Sequence, residues 1–193
     1  DFEIPGVPDS FQRLWTPHRL AYVRGEDTSV ETVPGCPFCT GPERRDDESL
    51  IVFRGEHCFV ILNLFPYNPG HLLVCPYRHV AELTDLSDDE LTELMRLTRD
   101  AVVAVSEASH PNAFNTGLNL GQAAGGSLSD HLHMHVVPRW IGDSNFLPVT
   151  AHTKAIMDTL GGTWTDIREH WPEQGTAPRA TEGTGTAGTA AES

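Results

Sequence analysis

Three histidines in strict alternation constrain this chain more than any other feature. His131-Leu132-His133-Met134-His135-Val136 places an imidazole at every second position and an apolar side chain between each pair. Successive side chains of a β-strand point to opposite faces. The run therefore predicts a strand over His131–Pro138 with all three imidazoles on one face and Leu132, Met134 and Val136 on the other. A surface strand with scattered histidines, or separate core histidines, readily explains one such residue. It explains three in alternation poorly when the whole chain holds ten. A three-histidine metal site stays open on geometry: same-face neighbours lie about 6.5–7 Å apart, and their side chains can converge.

The surrounding pattern predicts an α+β domain. Ser49–Phe53 reads as a strand, then a turn at Gly55-Glu56. Cys58-Phe-Val-Ile-Leu-Asn-Leu is an apolar run suited to a buried strand. Pro66-Tyr67-Asn68-Pro69-Gly70 is turn chemistry, and His71–Pro76 is a further buried strand, giving an antiparallel hairpin with a loop of five residues or so. A helix is expected from Asp88 to Glu107. Ser87 and Glu90 have capping-box spacing, Leu86 and Leu91 fit a hydrophobic staple, and His110-Pro111 ends it. Its apolar face would be Leu91, Leu94, Thr98, Ala101, Val102 and Val105. Phe114–Leu120 reads as a strand, Gly121–Ser129 as a loop, and residues 152–172 as one or two helices. The expected organisation is an N-terminal extension over residues 1–35, a catalytic domain over 36–172 and a disordered, Thr/Gly/Ala-rich tail over 173–193.

The length, 193 residues, suits one domain with a substantial core. No apolar run approaches the roughly 20 residues of a membrane-spanning helix. Asp1–Pro8 is acidic and lacks the apolar segment of a secretory signal, so a cytoplasmic protein with no membrane partner is expected. The net charge is −14, from 27 acidic and 13 basic residues. Such a surface repels nucleic acid. An anionic ligand would need a local site made from backbone N–H groups and a few His or Arg residues.

Cys36, Cys39, Cys58 and Cys75 are not spaced like a secreted disulfide scaffold. Cys58 and Cys75 lie in apolar runs and read as buried small hydrophobes. Cys36-Pro-Phe-Cys39 is either a metal or redox pair, or a turn that contains two cysteines. Gly41-Pro42 follows it in place of a thioredoxin-like strand and helix, which disfavours redox action.

His131-Leu-His-Met-His-Val-Val-Pro-Arg139 resembles the His-x-His-x-His signature of the histidine triad (HIT) superfamily. Cys58–Arg78, with Leu62-Asn63, Pro69-Gly70-His71 and Pro76, resembles the first hairpin of that family. Gly117-Leu-Asn-Leu-Gly with Ala124-Gly-Gly-Ser127 resembles its phosphate-side strand and loop. The likeness covers about residues 36–150. Asn145-Phe146 after Trp140, together with the Pro-Tyr-Asn-Pro-Gly-His-Leu turn, is most similar to the actinobacterial diadenosine tetraphosphate phosphorylases. The resemblance implies a HIT-like fold, about five antiparallel strands with a long helix across them, in a homodimer whose pockets are formed partly by each sheet.

It also implies chemistry. Anion attack on a phosphoanhydride sets charge against charge, whereas a neutral imidazole is uncharged and leaves readily. The middle histidine, His133, would attack the α-phosphorus of a nucleotide or dinucleoside polyphosphate and form a nucleotidyl-histidine. A backbone carbonyl would hold its other N–H and fix the tautomer. His135 would donate to the leaving group or stabilise developing charge. Ser127 would touch the transferred phosphate, and Gly125 and Gly126 would offer backbone N–H groups. Asn63 matches a ribose-contacting position, while His71 and Asn119 would border the pocket. Arg139 would offset phosphate charge or make a strand-end salt bridge, and Trp140 would stack on a base or cap the core. Inorganic phosphate as acceptor makes a phosphorylase and water makes a hydrolase; a nucleotide-binding sensor without turnover is the rival of a different class. Some relatives bind zinc through two cysteines, a histidine after the hairpin and the first triad histidine. Here those are Cys36, Cys39, His79 and His131, one zinc per chain, with His57 and His18 as spare donors.

Overall fold

The structure is a computed structural model that describes residues 35–124, 128–143 and 159–173. Five strands, β1 (Ile51–Arg54), β2 (Cys58–Leu62), β3 (Leu72–Pro76), β4 (Ala113–Leu118) and β5 (Met134–Arg139), form one sheet in the order β1-β2-β3-β5-β4. Every neighbouring pair is antiparallel. This is the expected α+β architecture. The chain also forms two single-turn helices, α1 (Pro37–Thr40) and α2 (Asp46–Ser49), the long α3 (Asp88–Ser109) and α4 (Leu160–Glu169).

The main core lies between one sheet face and α3. Val60, Leu62, Leu72, Val74, Met134 and Val136 from the sheet meet Leu94, Leu97, Ala101, Ala104 and Val105 from the helix. Each fully buried large aliphatic side chain here contributes roughly 1.5–3 kcal/mol. A smaller cluster of Phe38, Ile51, Phe59, Leu73 and Cys75 occupies the opposite face. That second face carries the histidines.

Helix α3 begins as its sequence predicts. Ser87 Oγ accepts the Glu90 N–H at 3.2 Å, and the Glu90 carboxylate accepts the Ser87 N–H at 2.8 Å. Arg78 donates to both Glu90 oxygens, at 3.0 and 2.8 Å. Those charge-assisted bonds hold the Glu90 carboxyl down to about 2, with the capping bonds adding to the effect. Its apolar face differs from expectation: Leu91 is 41% exposed and Val102 only half-buried, whereas Leu97 and Ala104 are fully buried. The buried stripe is Glu90, Glu93, Leu94, Leu97, Thr98, Ala101, Ala104 and Val105. At about 100° per residue Leu91 falls just beyond its edge, and the buried place in the first turn goes to the paired carboxylate of Glu90. His110 closes the helix in the left-handed region, φ 48° and ψ 54°.

Two connections position the site. Glu93 accepts backbone N–H groups from Glu56, His57 and Cys58 and so pins the β1–β2 turn to α3. A methyl on Gly55 would lie 2.7 Å from that carboxylate and 2.8 Å from the Cys58 carbonyl, so only glycine fits there. The β2–β3 connection is longer than the five residues expected, because Asn63 N–H to His71 carbonyl at 2.9 Å is its closing rung. Gly70 turns it with φ +75°.

The triad strand starts later than predicted. β5 begins at Met134, so His131 and His133 precede it. β3 ends at Pro76, and beyond it pairing passes to the following loop, where the Leu132 N–H donates to the Val80 carbonyl at 2.6 Å. Helix α4 covers the β1 edge: Trp164 Nε1 and Arg168 Nη1 donate to the Ile51 carbonyl at 2.9 and 3.1 Å. Among the described residues no helix is long and apolar enough to cross a membrane. The N-terminal extension, apart from Gly35, and the tail beyond Glu173 lie outside the described residues, as do His18, Asn145 and Phe146.

Candidate active site and metal centre

The three imidazoles share the sheet face opposite α3, as their alternation predicts. Met134 and Val136 join the core under the helix, whereas His135 sits in register with Leu73 of the other cluster. The rings of His133 and His135 are 4.9 Å apart. Phe38 braces the row, with its ring 5.4 Å from His131 and 5.1 Å from His133.

Hydrogen bonds set which nitrogen of each ring carries the proton. His133 Nδ1 lies 2.8 Å from the His131 carbonyl. A carbonyl only accepts, so Nδ1 bears the hydrogen and Nε2 keeps its lone pair. Burial lowers the His133 pKa, partly offset by that bond, which keeps the ring neutral near pH 7. The result is an uncharged nitrogen with a free lone pair on a locked ring. That is the condition a nucleophilic imidazole must meet.

His135 lies between two partners. Its Nδ1 is 2.9 Å from His71 Nε2, and its Nε2 is 3.3 Å from the Asn119 amide. His71 is fully buried and meets Asn63 Nδ2 at 3.2 Å and the Tyr67 N–H at 3.1 Å. The Tyr67 ring lies nearly parallel to that of His135, 5.9 Å away and tilted 17°, and 4.8 Å from His71. Burial, then the neighbouring imidazoles, holds His71 down to about 3; burial and His133 hold His135 down to about 4.

Arg139, left open between phosphate and salt bridge, is engaged within the protein. Its Nε and Nη2 donate to Asp143 at 2.6 and 2.9 Å, and its Nη1 to Asn115 at 2.7 Å. The Asp143 carboxylate is consequently held well below the ordinary range. It also accepts from the buried Asn68 at 2.8 Å, which ties the β2–β3 turn to the end of β5. Trp140 is half-buried, and its backbone N–H donates to Asp143 at 3.2 Å. Gly125, Gly126 and Ser127 lie outside the described residues.

Beside the triad, Cys36, Cys39, His79 and His131 converge, their ligand atoms all within 4.8 Å of one another. Cys36 Sγ and Cys39 Sγ lie 3.3 and 3.5 Å from His131 Nδ1, and Cys39 Sγ lies 3.2 Å from His79 Nδ1. A tetrahedral ion with ordinary Zn–S and Zn–N bonds spaces such S···N pairs at ~3.5 Å. His131 Nε2 lies 2.9 Å from the Pro76 carbonyl, so it carries the hydrogen and leaves Nδ1 as a donor atom, the arrangement common to metal-bound histidines. Burial and the adjacent Cys36 thiol raise the Cys39 pKa, a strain that a cation would relieve. The four residues are close enough to bind a metal, and His57 is not among them.

Comparison with known proteins agrees with this geometry. The family model described as "HIT domain" matches residues 44–140. The chain belongs to the HIT family. It is 46% identical over 173 residues to a protein of Mycobacterium tuberculosis H37Rv named AP-4-A phosphorylase, covering 88% of this chain and 89% of that one. It is 35% identical over 92 residues to the bis(5'-adenosyl)-triphosphatase of Dictyostelium discoideum, 48% of this chain and 61% of the relative. Among solved structures, a Zn-bound histidine triad family protein from Mycobacterium smegmatis matches with a TM-score of 0.54 and 26% identity, over 63% of this chain and 83% of that one.

Two residues of this HIT protein's site were missed in the sequence. Phe38 gives no signal of its own, because the two cysteines flanking it dominate Cys-Pro-Phe-Cys. Tyr67 reads in sequence only as part of a turn. Its Pro-Tyr-Asn-Pro context shows a turn but not that the aromatic ring folds back over His135.

The buried imidazoles predict acid sensitivity. An unfolded histidine titrates near 6.5, whereas His71 and His135 titrate about 3 and about 4. Below pH 6.5 the unfolded chain takes up protons that the folded site refuses, so stability falls as the pH drops from there towards 4. For fully buried His71 the slope is about 1.4 kcal/mol per pH unit. The urea midpoint is expected to fall between pH 6.5 and 4.5, and His71→Gln to flatten the fall. An unchanged midpoint over that window would contradict neutral imidazoles in the folded state.

Proposed function

We propose that this protein transfers an adenylyl group through His133, and that it phosphorolyses diadenosine tetraphosphate to ATP and ADP. One observation carries the reading: the His133 proton is tied back to the His131 carbonyl at 2.8 Å, leaving Nε2 unprotonated beside His135. The name AP-4-A phosphorylase on a relative 46% identical over most of both chains supports the substrate and the acceptor.

His133 Nε2 attacks the α-phosphorus, forming a P–N bond as the P–O bond to the departing ATP breaks. The His131 carbonyl stabilises the positive charge on the substituted ring. His135 donates a hydrogen bond to the leaving oxygen. An oxygen of inorganic phosphate then attacks the same phosphorus, the P–N bond breaks, ADP forms and His133 returns to its neutral state. Gly125, Gly126 and Ser127 hold the transferred phosphate, and Asn63 and Asn119 contact the nucleotide. Exposed Leu64, Phe65 and Tyr67 on the β2–β3 connection offer an apolar rim for the base.

Zinc is the metal we assign to Cys36, Cys39, His79 and His131, in keeping with the two-thiolate, two-imidazole donor set and the Zn-bound relative. Bound there it would tether α1 to the start of the triad segment and take no part in bond breaking. The functional unit is a homodimer in the cytoplasm. Strand β4 is a sheet edge with largely exposed residues, the edge opposite the one α4 covers, and a second copy would add to it.

Incubating diadenosine tetraphosphate with the protein, with and without inorganic phosphate, tests the acceptor. ATP and ADP are expected, with turnover dependent on phosphate. ATP and AMP at an equal rate without phosphate would make the enzyme a hydrolase, and no product would favour a nucleotide sensor.

A further inference from the structure

We propose that Asn68 and Asp143 form a buried clasp that holds the β2–β3 connection in its nucleotide-receiving pose, making both of them positioning residues for substrate binding. The binding role rests on the reading above; the clasp itself does not.

Residues 63–70 leave β2 and reach β3 without strand or helix of their own. Their backbone groups bond locally: the Phe65 N–H to Asn63 Oδ1 at 3.0 Å, and the Asn68 carbonyl to the His71 N–H at 3.1 Å. Among the described residues, the hydrogen bonds that tie this stretch to a segment beyond the hairpin both come from the Asn68 amide. Its Nδ2 donates to the Pro138 carbonyl at 2.7 Å and to the Asp143 carboxylate at 2.8 Å. Asp143 is built to hold that amide. Its Oδ2 accepts Arg139 Nε at 2.6 Å and the Trp140 N–H at 3.2 Å besides Asn68, and its Oδ1 accepts Arg139 Nη2 at 2.9 Å. Four donors on one carboxylate suit an anion and no neutral side chain. The turn that carries Asp143 is closed by its N–H on the Trp140 carbonyl at 3.0 Å, with Gly142 at φ +85°. Arg139 is fixed in turn by Asn115 at 2.7 Å, and it ends β5, the strand of His135. The connection therefore takes its position from the triad strand.

Stability alone does not account for this arrangement. Asn68 is 1% exposed, and among the described residues its Oδ1 is without a hydrogen-bond partner. A buried acceptor left so disfavours the folded state. What the clasp holds in place is apolar and faces water: Leu64, Phe65 and Tyr67 are 58%, 61% and 50% exposed. Neighbouring apolar groups of that size mark a surface that a ligand covers. The Tyr67 ring lies 5.9 Å from that of His135, so this rim borders the reacting groups. A rim fixed before the substrate arrives avoids the ordering cost at binding. The clasp acts on affinity, and the chemical step is left to the triad.

Two variants of the full chain open the clasp from either side. Asn68→Ala removes the donor and leaves Arg139 paired with Asp143; Asp143→Ala removes the acceptor. In hydrogen–deuterium exchange, the amides of residues 63–71 are expected to exchange about tenfold faster in both variants, with α3 unchanged. Unchanged exchange there refutes the clasp whatever the enzyme does. Both variants are expected to raise the KM for diadenosine tetraphosphate and the Kd for ADP about tenfold, with kcat within about threefold. The double variant should be no worse than the more affected single one, because each removes the same link. Faster exchange with unchanged affinity, a loss in kcat alone, or multiplied effects in the double variant refutes the positioning role. If Asp143→Ala does not fold, because Arg139 is left unpaired, the exchange and affinity of Asn68→Ala decide the matter. A parent protein that binds ADP without phosphorolysis, and loses that affinity in the variants, keeps the clasp and refutes the proposed reaction alone.

Discussion

His133→Ala is expected to lower phosphorolysis of diadenosine tetraphosphate by about 10⁴- to 10⁶-fold, the loss typical when a covalent nucleophile is removed. His133 is buried against Phe38 and its Nδ1–H is bonded to a backbone carbonyl, so truncation removes a contact but leaves no orphaned charge. The variant should unfold cooperatively and keep its metal. His135→Ala, which removes a donor and not the nucleophile, should lose less, about 10²- to 10³-fold. The order of the two losses matters more than their size. Equal or reversed losses would move the nucleophile away from the middle position.

Metal removal should produce the largest change in stability. For zinc at a free concentration a thousandfold above its dissociation constant, ligand linkage contributes about 4 kcal/mol. In a chain of this length each kcal/mol shifts the thermal midpoint by roughly 2–4 °C, so chelation is expected to lower it by about 8–16 °C. Cys39→Ser should reproduce the loss and abolish stoichiometric zinc, whereas His133→Ala should do neither. The coupling is structural: His131 links the Cys/His cluster through Nδ1 to the segment presenting His133, and through Nε2 to Pro76 at the end of β3. A midpoint indifferent to chelator, in a protein without zinc, would remove the assignment.

The sheet and α3 were legible because local signals agreed with tertiary demands. Continuous apolar runs marked β2 and β3 as buried strands, and Ser87 with Glu90 marked a helix start that Arg78 reinforces. The convergence of Cys36, Cys39, His79 and His131 was legible through the family resemblance, since Cys-Pro-Phe-Cys alone left metal, redox and turn readings open. Misreadings occurred where a long-range partner decides the outcome. The start of β5 depends on Val80, 52 positions before Leu132. Leu91 lost its place to a carboxylate that only Arg78 and the cap could satisfy. Arg139, open between a phosphate and a salt bridge on sequence, is engaged by Asp143 four residues on and by Asn115, which only the folded sheet brings near. Tautomers lie furthest from sequence, because they depend on which groups face each ring nitrogen across three separate segments.

The most direct test of the account is mass spectrometry of protein quenched during turnover under conditions that preserve phosphoramidates, with diadenosine tetraphosphate present and inorganic phosphate withheld. The account predicts an adduct of one adenylyl group per chain, mapped to His133 and discharged as ADP when phosphate is added. An active enzyme with no adduct, or one carrying it on His131 or His135, would contradict it.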